Sequence, residues 1–155
     1  MKKLNGLHII PILSDNYVFA IVKNERCVLV DPGEAAPVLA WLERMQLQAE
    51  IVLLTHLHGD HIGGVQALRE KFSNVKVAGP KEYSACDLAL DEKSSLEFAA
   101  ESIQTLELPG HTLNHLGFVW KNVLFCGDVL FGLGSGRLFE GSPAQMLNSI
   151  KKIGI

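Results

Sequence analysis

Cysteine is scarce and never paired in this chain. Cys27, Cys86 and Cys126 are odd in number, far apart and in no CxxC spacing. That excludes a disulfide framework and reads as three free core thiols in a reducing cytoplasm. A Lys/Arg-rich run is also missing, and the formal net charge is -3. Neither nucleic acid nor a membrane surface is therefore an expected partner. No apolar stretch reaches the roughly 18 residues that a membrane span requires. The N-terminal MKKLNGLHIIPILSDNY has two lysines, but its apolar run is short, is broken by Pro11 and leads to no small-residue cleavage site, so it does not read as a signal peptide. Linkers, low-complexity tracts and short repeats are absent too. What is present is a chain of 155 residues, 48% hydrophobic and 20% charged. That suits one domain, residues 1–155, with a proper core.

The first third reads as β structure: LHIIPIL, YVFAIVK and RCVLV are short apolar runs, the last two joined by a tight turn at Asn24-Glu25. VDPG closes the third run. EAAPVLAWLERMQ has helical spacing through Val38, Leu39, Leu42 and Met45, with Pro37 tolerable in a first turn. IVLLT is continuously apolar, as a strand covered on both faces would be. VQALREKF predicts a helix and VKVAGP a strand, and residues 81–100 are mixed. SIQTLELP, HLGFVW and NVLFCGD predict three more strands, the latter two joined around Lys121-Asn122. A Gly-rich loop, FGLGSGRLFEGS, then leads into a helix, PAQMLNSIKKI, with Gly154 at its C-terminal end. Strands in runs with helices between them predict an α/β architecture.

The chemistry is concentrated in THLHGDHIGG, residues 55–64. His56, His58, Asp60 and His61 are all potential metal ligands. In an extended loop, positions 56, 58 and 60 point the same way and His61 faces a second point, which suits two neighbouring ions. Zn²⁺ takes imidazole nitrogen and carboxylate oxygen at about 2.0–2.2 Å and leaves a position open for water in catalytic sites. Gly59, Gly63 and Gly64 permit close backbone approach. Two later strand ends add His111, in LPGHTLNH, and Asp128, in LFCGD. His56, His58 and His111 could hold one ion, Asp60 and His61 a second, and Asp128 could bridge. Such a pair lowers the pKa of bound water from 15.7 towards about 7 and gives a bridged hydroxide that attacks a carbonyl. A thiolate leaving group, with a pKa near 8.5, departs without much help from a general acid. Metal-assisted hydrolysis is the expectation.

THLHGDH resembles the THxHxDH motif of the metallo-β-lactamase superfamily, and His111 in PGHT and Asp128 in CGD match its next ligand positions. The flanking ILSDNYVF, VDPG and GSGRLFEGSPAQM resemble the glyoxalase II (hydroxyacylglutathione hydrolase) family. That resemblance runs from about Pro11 to Ile153. It implies an αβ/βα sandwich and cleavage of S-D-lactoylglutathione to D-lactate and glutathione. It also implies a two-metal site in which His56, His58 and His111 bind one ion and Asp60 and His61 the other, with Asp128 bridging. Zinc is the expected metal, with iron or manganese also acceptable. Asp60 is further expected to serve in catalysis. Arg137 falls where the family contacts the glutathione moiety, and a guanidinium suits a substrate carboxylate. Phe139 falls beside it in the same loop. Asp31 and Tyr17 lie in matching stretches and are expected to support the site rather than to bind.

The chain departs from the family pattern at Ser135, where Cys is common, and at Leu57 and Gly59, where bulkier residues are usual. The family also continues through a strand carrying one further metal-binding His and a helical glutathione-binding region, and neither follows here. His8 and His115 are not expected to replace that His. The expectation is a sandwich incomplete at the C-terminus, a second ion short of one ligand, and an open sheet edge that invites self-association. Two alternatives stay open. One is a non-catalytic metal-binding fragment; the other is another hydrolase, or a glutathione persulfide dioxygenase, of the same fold.

Overall fold

A computed structural model of the chain describes residues 6–132 and 134–154. Six strands form the first sheet in chain order: β1 (Gly6–Ile12), β2 (Asn16–Lys23), β3 (Arg26–Val30), β4 (Gln48–Leu53), β5 (Lys76–Pro80) and β6 (Leu88–Leu90). The first three form an antiparallel meander. Asn24 and Glu25, both at positive φ (51° and 67°), make the two-residue turn between β2 and β3. That geometry matches the natural twist of the strands it joins. From β3 onward the pairing is parallel. Helices carry the chain back between β3 and β4 and between β4 and β5, the usual parallel crossover, whereas β5 reaches β6 through turns alone. The helices are α1 (Ala35–Met45) between β3 and β4, then α2 (Gly59–Ile62) and α3 (Val65–Lys71) between β4 and β5.

The second sheet is antiparallel, in the order β10-β9-β8-β7, from β7 (Ser95–Phe98), β8 (Glu101–Glu107), β9 (Leu116–Trp120) and β10 (Val123–Phe125). The mixed stretch 81–100 thus resolves into β6 and β7, strands of three and four residues. Runs so short give periodicity little to show. The last helix, α4 (Pro143–Lys152), starts on a Ser142–Gln145 capping box with Pro143 in its first turn.

Alternation along β4 explains the layering. Val52 and the following Leu54 join Val18, Leu29, Val38, Trp41 and Leu42 in a core beneath the helices. Ile51 and Leu53 point the other way, into a core with Phe98, Ile103, Leu116 and Phe118 between the two sheets. Each such side chain stabilises the fold by about 1.5–3 kcal/mol on burial. Met146 of α4 packs on Leu108 and Val129 behind the second sheet. The layers are helix, sheet, sheet, helix, as expected for an αβ/βα sandwich. Lys23, Lys121 and Trp120 all reach Glu101 and tie the sheets at the end remote from the histidines.

The second sheet has four strands against six. Leu7 and Ile9 of β1 alternate with the buried Ile10 and Ile12 and are 37% and 57% exposed. Only one cysteine meets its core expectation: Cys27 is buried, whereas Cys86 and Cys126 are half-buried, and all three are free. Among the described residues no helix is long and apolar enough to cross a membrane.

Candidate metal centre

The candidate side chains gather where strands end. Asp31 follows β3, Thr55 to His58 follow β4, His111 follows β8, and Asp128 follows β10. Backbone packing draws the first two loops together. A Cβ on Gly33 would lie 1.6 Å from the Asp60 carbonyl oxygen, and one on Gly63 would lie 2.4 Å from that of Gly33. The VDPG turn and the histidine loop therefore touch main chain to main chain, a contact that only glycine at both positions permits.

The loop itself differs from the extended form expected. Alternation holds for His56 and His58, but the chain turns helical at α2, so Asp60 and His61 arrive on a helical turn. The reason is local: α2 closes its own backbone hydrogen bonds, with the N–H groups of His61 and Ile62 donating to the His58 carbonyl. His61 points inward and is buried, while the Asp60 side chain is 50% exposed at the rim.

Two groups of ligand atoms result. In the first, His58 Nδ1 lies 3.1 Å from His56 Nε2 and 2.9 Å from His111 Nε2. Asp128 Oδ2 is 3.9 Å from His56 Nε2 and 3.3 Å from His111 Nε2. One ligand atom from each of His56, His58, His111 and Asp128 falls within 4.8 Å of the others. In the second group, His61 Nε2 lies 3.5 Å from Asp60 Oδ2 and 3.3 Å from Asp128 Oδ1. The two oxygens of Asp128 thus face one group each.

The tautomers follow from the surrounding hydrogen bonds. The Thr55 hydroxyl donates to Asp31 Oδ2 at 2.7 Å, so its oxygen accepts from His56 Nδ1 at 3.0 Å. The Arg137 carbonyl accepts from His111 Nδ1 at 2.7 Å. Both rings are left with a bare Nε2 aimed at the same point. Two bare nitrogens and a carboxylate oxygen around His58 Nδ1 leave more acceptors than the one proton His58 can offer. Ligand atoms around a tetrahedral zinc ion sit about 3.3 Å apart, so the first group, with its atoms within 4.8 Å of one another, needs only small side-chain shifts to enclose a divalent cation.

Electrostatics separates the two groups. Burial, then repulsion from His61 and the other imidazoles, pushes His56 well below its ordinary pKa. Burial opposes charge on His61 as well, but Asp128 and Asp31 outweigh it and raise its pKa to about 10. His61 Nδ1 is 3.0 Å from Asp31 Oδ2, at an angle outside hydrogen-bond geometry. Burial would raise the pKa of Asp128, but His61 and His111 hold it below the usual carboxylate range.

Phe139 is 62% exposed, with its ring edge-on to His58 and His111 at 5.0 and 5.3 Å, and its N–H donates to the His111 carbonyl at 3.2 Å. Arg137 meets the centre through its carbonyl, while the residue itself is exposed. Asp31 supports the site as expected, accepting from the Thr55 N–H and hydroxyl. Tyr17 is 50% exposed, and its neighbour Asn16 takes the supporting part. The Asn16 amide donates to the Asp60 carbonyl at 3.1 Å and to Oδ2 at 3.3 Å. Sequence reasoning missed Asn16 and Thr55, although both lie inside stretches it singled out. A cavity of about 210 Å³ opens beside the histidines between His58, Pro80, Glu82, Asn114 and Glu140. A larger recess, about 360 Å³ near Arg26, Glu50 and Lys71, lies at the other end of β4.

Residues 13–100, more than half of the chain, match the metallo-beta-lactamase superfamily. The chain belongs to that superfamily. Within it, the chain is 49% identical over 147 residues to the hydroxyacylglutathione hydrolase of Vibrio campbellii, a match covering 93% of this chain and 58% of that protein. It is 46% identical over 149 residues to the hydroxyacylglutathione hydrolase of Pectobacterium carotovorum, covering 94% and 59%. The chain thus spans somewhat over half the length of these relatives. Among solved structures, the B3 metallo-beta-lactamase BLEG-1 superposes with a TM-score of 0.84 at 28% identity, covering 94% of this chain and 83% of that one. ETHE1 from Myxococcus xanthus superposes with a TM-score of 0.85 at 26% identity, covering 96% and 69%.

Proposed function

We propose that this chain holds two divalent metal ions and hydrolyses a glutathione thioester, S-D-lactoylglutathione, to D-lactate and glutathione. The observation that carries this reading is the placement of the Asp128 carboxylate, with one oxygen toward three imidazoles and the other toward His61. The names of the relatives support the choice of thioester. His56, His58 and His111 hold the first ion, Asp60 and His61 the second, and Asp128 bridges. Zinc is the preferred metal, with iron or manganese compatible with the same nitrogen and oxygen donors. The bound ions supply water ionised at neutral pH and positive charge for the thioester oxygen.

The chain's own residues do the rest. Thr55 and the Arg137 carbonyl keep the Nε2 lone pairs of His56 and His111 turned inward. Asp60, at the exposed rim, is the catalytic carboxylate nearest the entering substrate. Phe139 covers the outer edges of His58 and His111 and gives the acyl group an apolar wall. The Arg137 guanidinium pairs with a glutathione carboxylate. The glutathione thiolate leaves without much help from a general acid, because a thiol pKa of about 8.5 is far below that of an alcohol or amine leaving group. The three free thiols agree with action in a reducing cytoplasm.

The test is turnover of S-D-lactoylglutathione by the purified 155-residue chain after loading with zinc, with metal content measured on the same sample. Hydrolysis that disappears in His58→Ala supports the proposal. A chain carrying two ions and producing no free thiol overturns it and leaves a metal-binding unit without this activity.

A further inference from the structure

The structure assigns a positioning part to His115, an inference that rests on the metal-centre reading above but not on the thioesterase reading. His115 holds the Asp128 backbone on its Nε2 and backs the His56 ring, and so fixes the carboxylate between the two ligand groups. The residue is fully buried. Its backbone is pinned on both sides: the Leu108 N–H donates to the His115 carbonyl at 2.8 Å, and the Leu116 N–H donates to the Thr55 carbonyl at 2.8 Å. The ring lies nearly parallel to His56, with centroids 4.8 Å apart and planes at 22°. The ring also meets Gly127, at φ +49°, where a Cβ would sit 2.9 Å from ring Cε1 and Nε2.

The loop carrying Asp128 is therefore wrapped onto this imidazole, and the Asp128 N–H donates to His115 Nε2 at 3.2 Å. The Asp128 carbonyl is held as well, accepting from the Gly136 N–H at 2.8 Å. With both ends of its main chain fixed, the Asp128 side chain can place Oδ2 by His111 and Oδ1 by His61. His115 Nδ1 has no hydrogen-bond partner among the described residues. Leaving it unpaired costs stability that an apolar residue of similar size would not forfeit. The position tolerates that cost because Nε2 is an acceptor that no apolar side chain supplies. The tautomer is thereby fixed: a proton on Nε2 would oppose the Asp128 N–H, so the ring carries its proton on Nδ1.

Two measurements test this without recourse to hydrolysis. Long-range ¹H–¹⁵N NMR on the metal-free parent chain reads the tautomer directly. Nδ1–H with a bare Nε2 is expected, and Nε2–H overturns the assignment. Zinc affinity, measured by chelator competition, compares His115→Phe with His115→Gln. Phenylalanine keeps the stacking and loses the acceptor; glutamine keeps an acceptor near Nε2. H115F is expected to bind the weaker zinc ion at least tenfold less tightly, about the lower end of losses on removing such supporting groups, with H115Q within about threefold of the parent. Parent-like affinity in a folded H115F overturns the proposal. Should H115F fail to fold, a tenfold or larger loss in folded H115Q overturns it in the same way.

Discussion

The two ligand groups on either side of Asp128 are held in different ways. His56 and His111 are buried at strand ends, and each has its outer nitrogen engaged by a neighbour, Thr55 or the Arg137 carbonyl. Asp60 and His61 ride on a four-residue helical turn, and the Asp60 side chain stands half in solvent. Their protons differ too: His56 is driven toward its neutral form, while His61 keeps a proton into the alkaline range, up to about 10. A buried group whose bare lone pairs already converge meets a cation at little cost. A group whose imidazole carries a proton, as His61 does, must release it first. One centre can thus contain a preformed site and a conditional one.

The largest way to expose this difference is pH, acting on the metal-free chain. His56 and His115 have folded pKa values pushed below the ordinary 6.5, His115 to about 3, chiefly by burial. Their contribution to stability is present above 6.5 and is lost as pH falls from there toward 3. His61 has the opposite sign: its raised pKa stabilises the fold fully below 6.5, and that contribution is lost as pH rises through about 10. Urea midpoints should therefore fall on both limbs. The acid limb should lose on the order of a few kcal/mol, since each pKa unit is worth about 1.4 kcal/mol. A flat profile between pH 6.5 and 4 would mean that the buried histidines do not distinguish the two sides.

Next in size is removal of a first-group ligand. His111→Ala deletes one of three converging nitrogens and also a neighbour of Asp128 Oδ2. Zinc affinity at the tighter position should fall by more than about a hundredfold, beyond the range typical of supporting residues. Asp60→Asn should act on the other side alone, weakening the second ion by about ten- to a hundredfold and leaving the first intact. Equilibrium competition with a chromophoric chelator would resolve the two steps. Equal losses at both positions in Asp60→Asn would show that the groups are not separable.

The sequence made much of this legible, for identifiable reasons. Strands buried on both faces announce themselves as apolar runs, and β4 did so. β6 and β7 are too short for a periodic signal, and residues 81–100 stayed undivided. The six candidate ligands could be named because histidines and carboxylates at strand ends are chemically conspicuous, and the structure brings all six together. Their arrangement could not be read the same way. The sequence pairs Asp60 with His61, but on an extended loop; it is the hydrogen bonds of α2 that put the two on one helical turn. Contacts made by main-chain atoms left no mark at all. Arg137 attracted notice for its guanidinium, yet it is the carbonyl that orients His111. Asn16, between the acidic Asp15 and the aromatic Tyr17, carries no signal of its own, and only tertiary packing brings it to Asp60.

Asn16 supplies the smallest and most selective test. Its amide donates to both the carbonyl and Oδ2 of Asp60, the one ligand side chain that stands half in solvent. Asn16→Ala removes this tether, and water can take over part of the lost bonding. The weaker ion should therefore lose at most about tenfold in affinity, the lower end of what outer partners contribute. Asn16→Asp is a sharper variant, because it sets a carboxylate against Asp60 and exchanges a donor for an acceptor. It should weaken the second ion more than alanine does, and more at low salt than at high salt, since the repulsion is partly screened. The first ion, on the buried side of Asp128, should be unmoved by either change. An effect of Asn16→Ala on the tighter ion as large as that on the weaker one would show that the rim and the buried group share a single support, and that the preformed and conditional sites are one.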